Sequence, residues 1–227
     1  MTAPFDPTTS PPECGAIAPV VLVGGRSRRF GRDKLLEPWG EESRPLVSRP
    51  IAALRRAFGT QVVLVGDCDP RVAPLADRHL PDAYPDAGPM GGIATALRAL
   101  ERDVLVAAGD MPGLTPNAIE SLLAAARSNA NAIAIVAECN GRPHPCFAIY
   151  RWCAAPSLHA SLDDGRRSLR EWLRLTTEPP VGEHRTRRVI TVPIDAGSLV
   201  NINRPSDAAT TCPVPCSSTR DRSRSAE

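Results

Sequence analysis

The chain carries a single lysine, Lys34, among 27 lysine and arginine residues. It ends the run Gly24-Gly25-Arg26-Ser27-Arg28-Arg29-Phe30-Gly31-Arg32-Asp33-Lys34. An ammonium is a compact point charge on a flexible stem, whereas a guanidinium is a rigid planar fork. A lysine kept where arginine serves everywhere else points to contact with a phosphate or a leaving group. Gly24 and Gly25 let a phosphorylated ligand approach the backbone closely. Successive amides in such a turn can form an anion-binding nest. The run has neither the Gly-Lys-Ser/Thr ending of a Walker A loop nor the spacing of a dinucleotide fingerprint. Arg28 is either a second cation for the same phosphates or a solvated side chain. Asp33 either joins the site or fixes the loop through backbone hydrogen bonds.

Asp110 is the candidate metal ligand. It follows the apolar stretch Val104-Leu105-Val106-Ala107-Ala108, and Met111-Pro112 turns the chain directly after it. Open α/β sheets bind ligands outside the carboxyl ends of their strands. A hard carboxylate there is what Mg²⁺ needs when it also holds substrate phosphates. Asp82, before Pro85 and Gly88-Pro89, stands at a similar exit, either to meet a base or ribose or as an ordinary turn aspartate. Gly91 and Gly92 allow close approach at a helix start, whose free amides favour an anion. In Asn201-Ile202-Asn203, extended backbone would turn Asn201 and Asn203 to one site and Ile202 to the core. His144 lies between Pro143 and Pro145, where it either contacts a second substrate or is structural.

These residues need a frame. Residues 16–23, 61–66, 78–82, 103–108, 131–137, 145–150 and 188–194 read as strands. Helices are expected within residues 43–58, either kinked at Pro50 or beginning there, from Gly88 through Leu100, from Thr115-Pro116 onward, and around residues 168–173. Thr115 is placed to cap and Pro116 to occupy the first turn. The first strand is apolar without alternation, as in a parallel sheet covered on both faces. The β-α alternation predicts a three-layer α/β/α sandwich. Residues 1–16 read as a disordered lead, 17–208 as one domain and 209–227 as a disordered tail.

At 227 residues and 42% hydrophobic content the chain can bury a large core, but 4% aromatic content leaves that core to Ala, Val, Leu and Ile. A net charge of +2 is too mild to imply a nucleic-acid partner. No apolar run reaches membrane-spanning length, and a cytoplasmic location is expected. The seven cysteines are irregularly spaced and spell neither a disulfide framework nor a zinc site; Cys212 and Cys216 are the one close pair.

The run from Leu22-Val23-Gly24-Gly25 to Asp33-Lys34 resembles the opening motif of the MobA-like nucleotidyltransferases. Within them it is most similar to the molybdenum cofactor guanylyltransferases. The resemblance continues through Asp82, Gly88-Pro89-Met90-Gly91-Gly92-Ile93, Gly109-Asp110-Met111-Pro112, Arg142-Pro143-His144-Pro145 and Asn201-Ile202-Asn203-Arg204-Pro205-Ser206-Asp207. It covers about residues 17–208. The chain departs from the common pattern at Val23, at Val65-Gly66-Asp67, at Gly109 and at Gly113.

The resemblance implies a Rossmann-like, mostly parallel sheet of the nucleotide-diphospho-sugar transferase type. It implies GTP and Mg²⁺, with transfer of GMP to the terminal phosphate of molybdopterin and release of pyrophosphate. Leu22, Val23, Gly24, Gly25 and Gly91 would then lie on the nucleotide, Lys34 and Arg28 on its phosphates, and Asp82 at the nucleoside end. Asp110 would bind Mg²⁺, with His144, Asn201 and Asn203 around the metal and second substrate. A cytidylyltransferase of the same cofactor, another nucleotidyltransferase of this fold, and a non-catalytic nucleotide-binding accessory in cofactor delivery are the alternatives. Partners would be these small molecules and proteins that hand the cofactor on, with neither nucleic acid nor membrane.

Overall fold

The computed structural model describes residues 16–24, 33–40, 42–177 and 188–202. Gly25, Arg28 and Asn203, the expected lead apart from its last residue, the tail, and the pair Cys212 and Cys216 lie outside the described residues. The strands are β1 (Ala18–Leu22), β2 (Pro38–Trp39), β3 (Arg44–Pro45), β4 (Val63–Val65), β5 (Arg78–Leu80), β6 (Val104–Ala108), β7 (Ala132–Cys139), β8 (Arg142–Tyr150) and β9 (Arg188–Pro193). The helices are α1 (Ser48–Phe58), α2 (Gly88–Leu100), α3 (Pro116–Ser128), α4 (Ala155–Asp163) and α5 (Leu169–Thr177).

Seven strands make one sheet in the order β5-β4-β1-β6-β8-β7-β9, and β2 and β3 form a small hairpin. β8 runs antiparallel to both neighbours, and the other pairings in the large sheet are parallel. The strand pleat sends alternate side chains to opposite faces. Val21, Leu64, Leu105, Ile135 and Ile149 pack with Ile51 and Leu54 of α1 and Ile119 and Leu122 of α3. Val20, Leu22, Val63, Val106 and Val136 pack with Met90, Ile93 and Leu97 of α2, Leu158 of α4 and Trp172 of α5. Both faces are therefore dry, and the continuous apolar runs follow from that. Truncating a residue such as Leu105 to alanine would cost about 2–5 kcal/mol.

The three layers and the mostly parallel sheet are as the sequence predicts. α1 starts at Ser48 with Pro50 in its first turn, where a missing N–H costs nothing. Thr115 caps α3, its hydroxyl oxygen accepting from Ala118 N at 3.2 Å. α4 is an addition. Its segment is short and carries Pro156 near its start, which reads as loop until its apolar face is seen against α2.

β8 also starts earlier than expected, at Arg142, and it is bulged. Its pairing with β7 steps from Ala148 directly to His144, which leaves Pro145, Cys146 and Phe147 without a partner on β7. Proline has no N–H to give a ladder and tolerates such a position. The carbonyl of Pro145 accepts instead from the buried hydroxyl of Tyr150 at 2.9 Å. A satisfied bulge of this kind re-aims the side chains beside it.

Candidate active site

β1 and β6 are neighbours with Leu22 opposite Ala108, so both chains leave the sheet side by side. Gly109 N donates to Leu22 O at 2.9 Å, which holds the two exits together. Asp110 follows at once, with its side chain 13% exposed. Lys34 Nζ donates to Asp110 Oδ2. The same ammonium donates to the carbonyl of Ile202 at 3.2 Å. Ile202 N in turn donates to Asp110 O at 3.0 Å. Three distant segments thus meet around Asp110, Lys34 at its carboxylate and Ile202 at its main-chain carbonyl.

Asp33 sets the lysine in place. Its Oδ1 accepts from Leu35 N at 3.0 Å and its Oδ2 from Asp69 N at 3.3 Å. This caps the short 3₁₀ turn Lys34–Leu36, and buried Leu35 anchors it to the core. Of the two roles open to Asp33 from sequence, the loop-fixing one is what the contacts support.

On the far side of β1 the backbones of two strand exits nearly touch. Gly66, after β4, has φ of 122°, and a Cβ there would stand 2.5 Å from Gly24 N. No side chain fits between them, and an L-residue is strained at that φ. Leu22 and Val23 are buried on opposite faces of the sheet, so toward a ligand they offer backbone. Asp82 Oδ1 accepts from Tyr84 N at 2.9 Å and from the Thr95 hydroxyl at 3.2 Å. Burial raises its carboxyl above the ordinary value, and those two bonds pull it back. Asp82 therefore does hold a turn, folding residues 82–87 onto α2. Gly91 serves that packing, because a Cβ there would meet Tyr84 O at 3.0 Å and Ala87 Cβ at 2.9 Å.

On the other side of Asp110 lies a cleft of about 260 Å³, lined among others by Met111, His144, Cys146, Arg167, Arg170 and Asn201. Its wall is the bulge of β8. Burial pushes the Cys146 thiol up to about 11, and the Asp110 carboxylate adds to this while Arg170 opposes it. Burial, and then Arg170, lowers His144. Arg167 donates to the carbonyl of Asp86 at 3.1 Å, which ties the start of α5 to the loop before α2. Both arginines are exposed. The cleft is thus cationic at its exposed end, and elsewhere it is lined by Met111 and Asn201, the chain neighbours of Asp110 and Ile202.

Among the described residues no group of three or more His, Cys, Asp or Glu side chains is gathered to hold a metal. Asp110 offers one hard carboxylate. That fits a Mg²⁺ which brings its other ligands as water and substrate phosphate oxygens.

Residues 19–185 match the MobA-like NTP transferase domain. The chain belongs to the MobA-like NTP transferase family. It is 32% identical over 198 residues to a probable molybdenum cofactor guanylyltransferase of Opitutus terrae, covering 85% of this chain and 93% of that one. It is 33% identical over 207 residues to a molybdenum cofactor guanylyltransferase of Rhizobium johnstonii, covering 84% and 89%. Among solved structures it is similar to molybdopterin-guanine dinucleotide biosynthesis protein A from Archaeoglobus fulgidus, with 25% identity, a TM-score of 0.65 and coverage of 86% of this chain and 96% of that one.

In this MobA-like frame, the expected residues Lys34, Asp110 and Asn201 converge, with Ile202 buried between Trp39 and Leu46 as its alternation predicts. His144 joins them from β8. Asp82 and Gly91 sit together where residues 82–87 pack onto α2. Sequence reasoning missed Arg167, Arg170 and Cys146. The cluster Arg166-Arg167 with Arg170, just before the apolar side of a short helix, was the available signal. Cys146 carried none, because only the bulge turns it toward Asp110. No described helix is long and apolar enough to cross a membrane.

Proposed function

We propose that the chain transfers GMP from GTP to the terminal phosphate of molybdopterin, releasing pyrophosphate. The observation that carries this is the position of the Lys34–Asp110 pair. It lies between an exit where backbone alone faces the ligand and a cleft whose outer end is cationic. The names of the relatives supply the identities of the two substrates, and the two sides of the pair supply a place for each.

The acceptor phosphate oxygen forms a bond to the α-phosphorus, and the bond from that phosphorus to the bridging oxygen of the pyrophosphate breaks. Both partners are ionised already, so no protein group has to take a proton. Catalysis is then positioning and charge stabilisation. Lys34 neutralises the charge that builds on the leaving pyrophosphate. The amides of Gly24 and Gly25, with Arg28, hold the triphosphate, and Asp82 and Gly91 shape the nucleoside end. Asp110 would hold Mg²⁺, which when bound neutralises phosphate oxygens and aligns them. Asn201 and Asn203 complete this surface without adding charge, and His144, Arg167 and Arg170 receive the anionic acceptor. The reaction belongs in the cytoplasm, where both substrates are soluble.

The test is pyrophosphate release with Mg²⁺ and molybdopterin, compared for GTP, CTP and ATP. GTP should lead by at least about tenfold in kcat/KM, or about 1.4 kcal/mol. A lead by CTP would make the chain a cytidylyltransferase. GTP binding without pyrophosphate release would leave the accessory role.

A further inference from the structure

Two segments distant in sequence build the centre of the site: the loop after β6, residues 109–115, and residues 195–202. They are joined at two points. One is the site itself, where Ile202 N meets Asp110 O at 3.0 Å and Ile202 O receives Lys34 at 3.2 Å. The other is made by the side chains of Thr115, Ser198 and Asp195.

Ser198 is the centre of the second junction, and it is 1% exposed. Its Oγ lies 2.7 Å from Asp195 Oδ2 and 3.1 Å from Thr115 Oγ1, and its N donates to Asp195 Oδ1 at 2.9 Å. Counting protons fixes every direction. An ionised Asp195 can only accept, so the single hydroxyl proton of Ser198 goes to it. Ser198 Oγ must then accept from the Thr115 hydroxyl, whose own oxygen accepts from Ala118 N at 3.2 Å. The bonds from Ser198 hold the Asp195 carboxyl below its ordinary value. The relay Ala118 to Thr115 to Ser198 to Asp195 is complete, so burying the Ser198 hydroxyl costs little.

The backbones agree with the side chains. A Cβ on Gly113 would stand 2.1 Å from Gly197 O, so the two loops lie as close as peptide groups can. Gly113 is one of the places where this chain departs from the common motif. Its space is filled here by the turn Gly197–Leu199, which leads straight into Asn201 and Ile202.

We propose that Ser198, held by Asp195 and Thr115, is a positioning residue that sets how the 195–202 segment crosses the Asp110 loop, and so fixes the Ile202 carbonyl that steers Lys34. The kinetic part of this rests on the transfer reaction proposed above, but the positional part does not. Ser198→Ala should raise amide hydrogen exchange at Ile202 by about tenfold, lower kcat for pyrophosphate release by about tenfold and leave KM for GTP within about twofold. Thr115→Ser keeps the hydroxyl and should match wild type in all three. If Ser198→Ala does not fold, Asp195→Asn, which keeps an acceptor but loses the charge, takes its place with a smaller shift in the same direction. Unchanged exchange at Ile202 in a folded variant overturns the proposal, as does faster exchange with wild-type kcat. If wild type releases no pyrophosphate from any nucleotide, it is the transfer reaction that fails, and exchange at Ile202 alone decides the role of Ser198.

Discussion

On one side of Asp110 the chain sets backbone against backbone; on the other it leaves an open cleft lined by side chains. The first side is made by parallel strand exits, with Gly66 and Gly24 so close that a Cβ at Gly66 would stand 2.5 Å from Gly24 N. The second is made by the bulge of β8, the start of α5 and two exposed arginines. A surface of amides and carbonyls is rigid and indifferent to side-chain identity, as a triphosphate requires. A surface of arginines, a histidine and an asparagine can be retuned residue by residue, as a particular acceptor requires. The division teaches where substitutions should act: at the seam on everything, on the cleft side on one substrate alone.

The largest effect should come from the seam. Asp110→Asn keeps the shape and the carbonyl bond to Ile202 but removes the charge that holds Lys34 and would hold Mg²⁺. Turnover should fall by about 10³-fold, at the upper end of what one electrostatic group supplies, with Tm nearly unchanged. Near-normal turnover would detach Asp110 from the chemistry and leave the two sides without a common centre.

Lys34→Arg is next. It keeps the charge, but a planar fork cannot serve Asp110 Oδ2 and Ile202 O from the point an ammonium occupies. About a hundredfold loss in kcat/KM is expected, the cost of misplacing a catalytic contact by about 1 Å. Kinetics like wild type would mean that any cation suffices at the seam.

The two sides also differ in how far they could be read from the residues alone. The glycine-rich run, Lys34 and Asp110 are local signals: residue type and position after an apolar strand are enough to suggest phosphate and metal chemistry. The parallel sheet was legible for the same reason, since strands buried on both faces show unbroken apolar runs. The cleft was not, because nothing local brings β8 and α5 together. It depends on the bulge at Pro145, on the hydroxyl of Tyr150 that satisfies the Pro145 carbonyl, and on α4, whose apolar face shows only when packed on α2. The roles of Gly66 and Gly113 were hidden likewise, since each answers to a residue far along the chain.

Arg170→Gln tests whether the cleft serves only one substrate. KM for the acceptor should rise by about tenfold, the range of one charge-assisted bond, while KM for GTP stays within about twofold. A larger change for GTP than for the acceptor would reverse the assignment of the two sides.

The smallest effect, and the most local test of the cleft, is the titration of His144. Its folded-state pKa lies below the ordinary value of 6.5, through burial first and the Arg170 guanidinium second. As pH falls through 6.5 the unfolded chain takes up this proton before the folded one does. The stability tied to a neutral His144 is therefore full above that pH, declines below it, and stops declining once the folded-state pKa is passed. His144→Asn should flatten the acid limb of Tm against pH and leave Tm at neutral pH little changed. Arg170→Gln should move the imidazole titration of His144 upward, because it removes a like charge and leaves the burial. If the titration does not move, Arg170 does not share the cleft with His144, and the cationic outer end of that side must be built by Arg167 instead.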